Sequence, residues 1–246
     1  MKIFDSHFHI IDNHFPLIEN QGYIPNTFTS DDYLNAIKNL NIVGGAIVSG
    51  SFQGFDQSYL VQALNNLGSN FVGVTQLPAS VSDEEIIQLN EVGVKAIRFN
   101  LKRGGSAEIS QMEYLARRVF ELVGWHSEIY INSNDLEDIA ALIEKLPAVS
   151  IDHLGLSQTG FSSLLYLVEK GVKVKATGFG RLDFDPVTAL QKIHEVNPNA
   201  LMFGTDLPST RAKRPFQVSD IDIILNAIRE ESHLVLYQNA MDWYFK

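Results

Sequence analysis

One alternation constrains the fold of this chain more than any other feature. Eight short runs rich in β-branched and aromatic residues, at 3–10, 43–48, 71–77, 94–99, 128–131, 149–151, 172–176 and 201–203, are separated by segments with helical periodicity. The helical segments open on small polar and acidic residues, as at Ser30-Asp31-Asp32, Ser82-Asp83-Glu84-Glu85 and Asn134-Asp135. Such residues cap free N–H groups and suit the positive end of a helix dipole. Many of the segments end at Gly or Pro, as at Gly68, Gly93, Gly124, Pro147, Gly171 and Pro198, and the next strand follows at once. Strict β-then-α order requires parallel strands joined by crossover helices. The 246 residues divide into eight repeats of about 31, the size of one βαβ unit. The pattern predicts a (β/α)8 TIM barrel, with residues 1–246 forming a single domain. A doubly wound sheet would carry a Gly-rich phosphate loop after its first strand, whereas this first strand ends in histidines.

Composition narrows the chemistry. With 19 Lys and Arg against 29 Asp and Glu, the net charge is −10, which argues against nucleic acid as a partner. Cysteine is absent, so disulfides, thiolate metal sites and a Cys nucleophile are excluded, and any metal must use His, Asp or Glu. No apolar run approaches the roughly 20 residues that span a bilayer, and the first residues lack the apolar core of a signal peptide. The expectation is a cytoplasmic protein with no membrane partner.

In a (β/α)8 barrel the chemistry sits at the C-terminal strand ends and in the loops that follow them. The first strand ends Asp5-Ser6-His7-Phe8-His9, and period-two alternation puts Asp5, His7 and His9 on the inner face, with Phe4, Ser6 and Phe8 toward the helices. Two imidazoles at i and i+2 can bind one cation or polarise one carbonyl, although a bare His-x-His also arises from packing. Asp206 in Gly204-Thr205-Asp206-Leu207-Pro208 shares the parity of Met202 and Gly204 and points inward, with His7 and His9 as its expected partners; the alternative is a cap on the following loop. His153 in Asp152-His153-Leu154-Gly155 stands at the sixth strand end, where a satisfied core histidine is the plainer reading. Arg98, Arg103 and Arg181 occupy comparable edges and suggest a carboxylate-bearing small molecule as ligand, with one of the three expected to pair with the protein's own acids. Arg211, Lys213 and Arg214 fit a solvated loop as well as a site. On the seventh strand Lys173 and Lys175 alternate with Val172, Val174 and Ala176, so Lys175 should face inward onto a carboxylate, with Asp5 the nearest by height.

Seven short stretches in order along the chain resemble the amidohydrolase superfamily, in its amidohydrolase-2 group and near the 2-pyrone-4,6-dicarboxylate lactonase-like proteins. They are Phe4–His9, Phe15-Pro16 with Gly22–Pro25, Ser51–Asp56, Ile97–Asn100, Ile151–Gly155, Gly204–Pro208 and Asn239-Ala240. The resemblance implies a catalytic centre of His7, His9, His153 and Asp206, with Arg98, Arg103 and Arg181 holding substrate carboxylates and Ser51 and Tyr23 as further substrate contacts. The chain departs from the lactonase pattern at Ser209, where that pattern has a histidine, and the match at Arg103 requires a one-residue gap. The fifth strand reads Ser127-Glu128-Ile129-Tyr130-Ile131-Asn132 and lacks the metal-binding histidine of metal-dependent relatives, His126 lying at its entrance.

These readings together predict a hydrolase of a small carboxylate-bearing lactone, with Asp206 as general base and no required cofactor. A divalent metal such as zinc or manganese, if bound, would sit on His7, His9 and Asp206. The alternatives are a metal-dependent amidohydrolase, sugar lactonase or decarboxylase, and a barrel that binds an organic acid without turning it over.

Overall fold

The computed structural model describes residues 1–245. Its strands are β1 (Ile3–Phe8), β2 (Ile42–Val48), β3 (Phe71–Thr75), β4 (Val94–Asn100), β5 (His126–Tyr130), β6 (Val149–Ile151), β7 (Lys173–Thr177) and β8 (Leu201–Gly204). They form one sheet in sequence order, each pairing in parallel with the next. The helices are α1 (Ser30–Ile37), α2 (Ser58–Leu67), α3 (Asp83–Glu91), α4 (Ile109–Val123), α5 (Leu136–Ile143), α6 (Phe161–Glu169), α7 (Pro186–Val196), α8 (Ser219–Ile228) and α9 (Asn239–Tyr244). The architecture is the (β/α)8 barrel that the alternation predicts. Among the described residues no helix is long and apolar enough to cross a membrane.

The caps explain several helix starts. Thr29 accepts from the Asp32 N–H while Asp32 accepts from the Thr29 N–H, a reciprocal capping box one residue before the predicted start of α1. Ser82 caps α3 through the Glu85 N–H. The outward faces of the strands (Ile47, Ile97, Phe99, Ile129, Ile151, Val174, Leu201, Phe203) pack with the helices into the main apolar layer. Inside the barrel a smaller apolar cluster holds Phe4, Ala46, Val48, Val72, Val74, Ala96 and Met202, closed below by Ala240 and Tyr244 of α9.

Phe4 corrects the sequence expectation. It lies inside, stacked on Tyr244 at 5.5 Å, while Phe8 stacks on Tyr33 of α1 at 3.7 Å in the outer layer. Register shifts against β2 on either side of Phe4 and Asp5 break the simple alternation of β1. His7 still points inward, but Asp5 turns into the seam between β1 and β8. There its carboxylate accepts from the Thr205 N–H at 2.8 Å, the Thr205 hydroxyl at 2.7 Å and the Tyr33 hydroxyl at 3.1 Å. Two backbone bonds complete the seam, Asp206 N–H to His7 C=O and His9 N–H to Leu207 C=O, both 2.7 Å.

Lys175 faces inward and is fully buried, as its parity predicts, but its partner is Glu128 of β5 rather than Asp5. It also donates to the Ser6 carbonyl at 2.8 Å and lies 4.0 Å from Asp152. Glu128 accepts in turn from the Tyr244 hydroxyl at 2.5 Å and stands 3.2 Å from His126. A buried ammonium needs a close anion and filled hydrogen bonds; the floor of the barrel supplies both.

Candidate active site

Above that floor, the C-terminal ends of β1, β4, β6 and β8 bring the predicted residues into one cluster. The His7 ring lies 5.1 Å from His9 and 4.8 Å from His153, centroid to centroid. Asp206 Oδ1 is 4.0 Å from His7 Nε2 and 3.8 Å from His9 Nε2. All four residues are buried. Asp206 and His153 both adopt left-handed backbone conformations, at φ 60° and 53°, where the chain leaves its strand. Such geometry is uncommon outside glycine and clusters at functional sites. Gly178, at φ 63° after β7, makes room for them: a Cβ there would stand 2.6 Å from His153 Nδ1 and 3.1 Å from Asp206 Oδ2.

Two of the three predicted arginines are joined to the protein's own acids, one more than expected. Arg181 chelates Asp206, Nε to Oδ2 at 2.6 Å and Nη2 to Oδ1 at 3.0 Å, which leaves Nη1 for a ligand. Arg98 donates to Asp152 Oδ2 at 2.8 Å and to the Ser49 carbonyl at 2.5 Å. Arg103 sits at the rim and reaches Gln21. Ser51 opens a single 3-10 turn after β2 and lines the same cleft as His9, Arg98, Arg103, His153 and Arg181. Tyr23 stands apart from that lining, beneath the guanidinium of Arg211 at 4.4 Å from its ring centroid.

Burial and the two inner arginines set the charge states. Desolvation first, then the Arg98 and Arg181 charges, push His9 down to about 3, and burial with neighbouring cations holds His7 and His153 well below their ordinary range. These imidazoles are therefore neutral near pH 7. Burial raises Asp206 above the ordinary carboxylate value even against the opposing pull of Arg181. For Asp152 burial works in the same direction, but the Arg98 and Lys175 charges outweigh it and keep the group ionised.

The hydrogen bonds also assign a tautomer. His9 Nδ1 lies 2.7 Å from the Val48 carbonyl, which can only accept, so the proton is on Nδ1 and Nε2 offers a lone pair toward Asp206. His7 Nδ1 is 3.4 Å from Asp152 Oδ1, and neither His7 nitrogen completes a hydrogen bond. His7, His9 and Asp206 thus form an acceptor-rich trio whose ligand atoms lie within 4.8 Å of one another, as do those of His7, Asp152 and His153. In kind and spacing the first trio fits either a divalent cation or a water that donates to it.

Sequence reasoning missed three inward-facing residues. Asp152 links Arg98, His7 and Lys175; its signal was its place directly before His153. Glu128 and Tyr130 follow from the alternation of β5, Tyr130 lying 5.3 Å below the Arg98 guanidinium and 5.2 Å from the His153 ring.

Comparison with known proteins finds relatives along most of the chain. A 4-sulfomuconolactone hydrolase from Rhizobium radiobacter is 24% identical over 243 residues, covering 91% of this chain and 81% of its own. A 2-pyrone-4,6-dicarboxylate hydrolase from Comamonas testosteroni is 30% identical over 119 residues, 47% of this chain and 39% of its own. The crystal structure of a probable 2-pyrone-4,6-dicarboxylic acid hydrolase from Acinetobacter baumannii, with citric acid bound, superposes with a TM-score of 0.85 at 20% identity over 99% of both chains. The amidohydrolase profile of the amidohydrolase-2 group matches residues 4–246, and the chain belongs to the amidohydrolase family.

Proposed function

We propose that this protein hydrolyses small lactones that carry anionic groups, with Asp206 as general base. The observation that carries the reading is the convergence of a buried, basic carboxylate with three neutral imidazoles beneath a cleft lined by arginines. Relatives named for hydrolysis of 2-pyrone-4,6-dicarboxylate and 4-sulfomuconolactone support it, as does an anionic ligand, citric acid, in a structural neighbour.

A water that donates to His9 Nε2 and Asp206 Oδ1 is held with its lone pairs toward the substrate. Asp206 takes a proton as the water oxygen bonds to the lactone carbonyl carbon. Charge that develops on the carbonyl oxygen meets an N–H of His153 and the field of Arg98 and Arg181. The ring C–O bond then breaks, and the departing ring oxygen receives the proton from Asp206. One water is consumed, and the product carries a new carboxyl and a hydroxyl group. Arg98, Arg103 and Arg181 orient the anionic groups, with Ser51 beside them and Tyr23 acting through Arg211. A divalent cation held by His7, His9 and Asp206 would supply Lewis acidity at this point. Turnover does not require it, because Arg98 and Arg181 already place positive charge there.

Turnover of 2-pyrone-4,6-dicarboxylate and 4-sulfomuconolactone tests the proposal, with an uncharged lactone of similar ring size as control. The anionic lactones should be opened, and Asp206→Asn should lower kcat by about 10²- to 10⁴-fold, the span of general base catalysis. Thermal stabilisation by these acids without turnover would point instead to a barrel that only binds organic acids.

A further inference from the structure

Arg103 and Arg211 differ from the two deeper arginines of the cleft. Arg98 and Arg181 are each bonded to an aspartate, whereas among the described residues no carboxylate lies within ion-pair distance of Arg103 or Arg211. Both rim arginines meet the same neutral oxygen. Gln21 Oε1 stands 3.2 Å from Arg103 Nη1 and 3.5 Å from Arg211 Nη1, the second contact at the outer limit of a hydrogen bond.

The surrounding loops hold this pair in place. The segment after β1 folds into a tight hairpin, Asn20 and Tyr23 exchanging backbone bonds of 3.0 and 3.1 Å, with Gln21 and Gly22 both left-handed at its tip. Asn20 donates to the Arg103 carbonyl at 3.0 Å, fastening the hairpin to the loop after β4. Arg211, itself left-handed at φ 59° in the loop after β8, has its guanidinium carbon over the Tyr23 ring and donates to the Asn20 carbonyl. Its guanidinium is thereby fixed rather than free in solvent, and both rim arginines line the cleft that contains His9 and His153. Desolvation and the nearby Arg103 charge pull Arg211 below its ordinary value, as expected of two cations held close without an anion.

We propose that Arg103 and Arg211 form an anion clamp at the rim of the cleft, with the Gln21 amide as a displaceable stand-in, and that the clamp selects substrates with an oxyanion remote from the scissile carbonyl. This deepens the lactone reading and rests on it for the word substrate. The resemblance assigned a carboxylate contact to Arg103; the new elements are Arg211 and Gln21. An anionic oxygen between two guanidinium groups makes charge-assisted bonds, about twice as strong as those to a neutral amide oxygen, so a carboxylate or a sulfonate displaces Gln21.

Calorimetric titration with three probes of equal chain length tests the clamp without any turnover: glutarate, 4-sulfobutanoate and butanoate, which differ only in one terminal group. In the wild type at least one dianion should bind about tenfold more tightly than butanoate, and whichever dianion binds more tightly identifies the rim group as carboxylate or sulfonate. Arg211→Gln should erase that advantage and leave butanoate unchanged. Gln21→Gly, which removes the competing amide and suits the left-handed backbone, should tighten dianion binding severalfold. Equal affinity for all three probes in the wild type, equal loss of all three in Arg211→Gln, or weaker dianion binding in Gln21→Gly would each overturn the clamp. A protein that follows the expected pattern but opens no lactone keeps the clamp and loses the lactone reading. One that opens lactones without a dianion preference does the reverse.

Discussion

The wall of the barrel interior contributed by β2 and β3 is built from small apolar side chains, Ala46, Val48, Val72 and Val74. The facing wall, from β4 to β7, carries Arg98, Glu128, Asp152 and Lys175, all buried. The apolar wall needs no partner to be stable; it gains by leaving water and by close packing. The charged wall is stable only as a closed set, Lys175 on Glu128 and Arg98 on Asp152, because each ion alone would face a desolvation cost of several kcal/mol. One wall therefore tolerates substitution piecemeal, and the other does not. The charged wall also meets the site with its side chains, Asp152 beside His7 and Arg98 in the cleft, whereas the apolar wall meets it through the Val48 backbone carbonyl.

Removing a single ion should break the comparison most visibly. Lys175→Met leaves Glu128 and Asp152 without their shared cation and should cost about 3 to 5 kcal/mol in urea unfolding, against about 2 kcal/mol for Val74→Ala on the apolar wall. Adding Glu128→Gln to Lys175→Met should recover part of the loss; a double variant no better than the single would show that the wall is not a closed set.

Asp5 sharpens the contrast, since it is a buried carboxylate met by neutral donors rather than by a cation. Desolvation outweighs its hydrogen bonds and raises it to about 6 from an ordinary 3.8. The folded state therefore holds a proton that the unfolded state releases, and stability contributed by that proton is full below pH 4 and lost as pH rises through 6. Asp5→Asn should reduce the fall in unfolding free energy between pH 4 and pH 7 by about 2 kcal/mol. An unchanged fall would place the titration elsewhere.

A smaller effect is expected where the charged wall meets the chemistry. Arg181→Gln removes the cation that pulls Asp206 down, so the carboxyl should rise further. A base acts only when deprotonated, and the acidic limb of kcat/KM should move to higher pH, with a loss of about tenfold on that limb. A limb that stays in place would dissociate Asp206 from the pH profile. The least change is expected on exhaustive chelation, with activity and metal content measured on the same sample: activity should persist, and loss restored by zinc or manganese would establish a metal requirement.

The sequence made the two walls legible to different depths. Period-two alternation correctly turned Arg98, Lys175 and Asp206 inward: β4 keeps an even register with β5 from Ala96 onward, its shift against β3 lying at Val94 and Ala96 ahead of Arg98, and β7 pairs evenly with β8. It failed in β1, where the register shifts bring Phe4 inside and send Asp5 into the seam. The wrong partner for Lys175 followed from that failure, since Asp5 no longer shared its space. Glu128 carried the right parity, but which acid meets which base across a closed sheet depends on relative strand heights, which local pattern does not encode. Arg211 was indistinguishable from a solvated loop residue, because its position rests on left-handed turns at Ser209 and Arg211 and on a hairpin from the far side of the mouth.

The seam closed by Asp5 joins residues 200 positions apart along the chain. His7 and His9 lie on one side of it and Asp206 on the other, so neither flank holds the proposed centre by itself. Contacts of such long separation form late, after loop-closure entropy has been overcome. During refolding, helical signal and even most of the sheet should return before hydrolysis does, and recovery of activity is then a direct readout of the moment at which the eighth strand docks against the first.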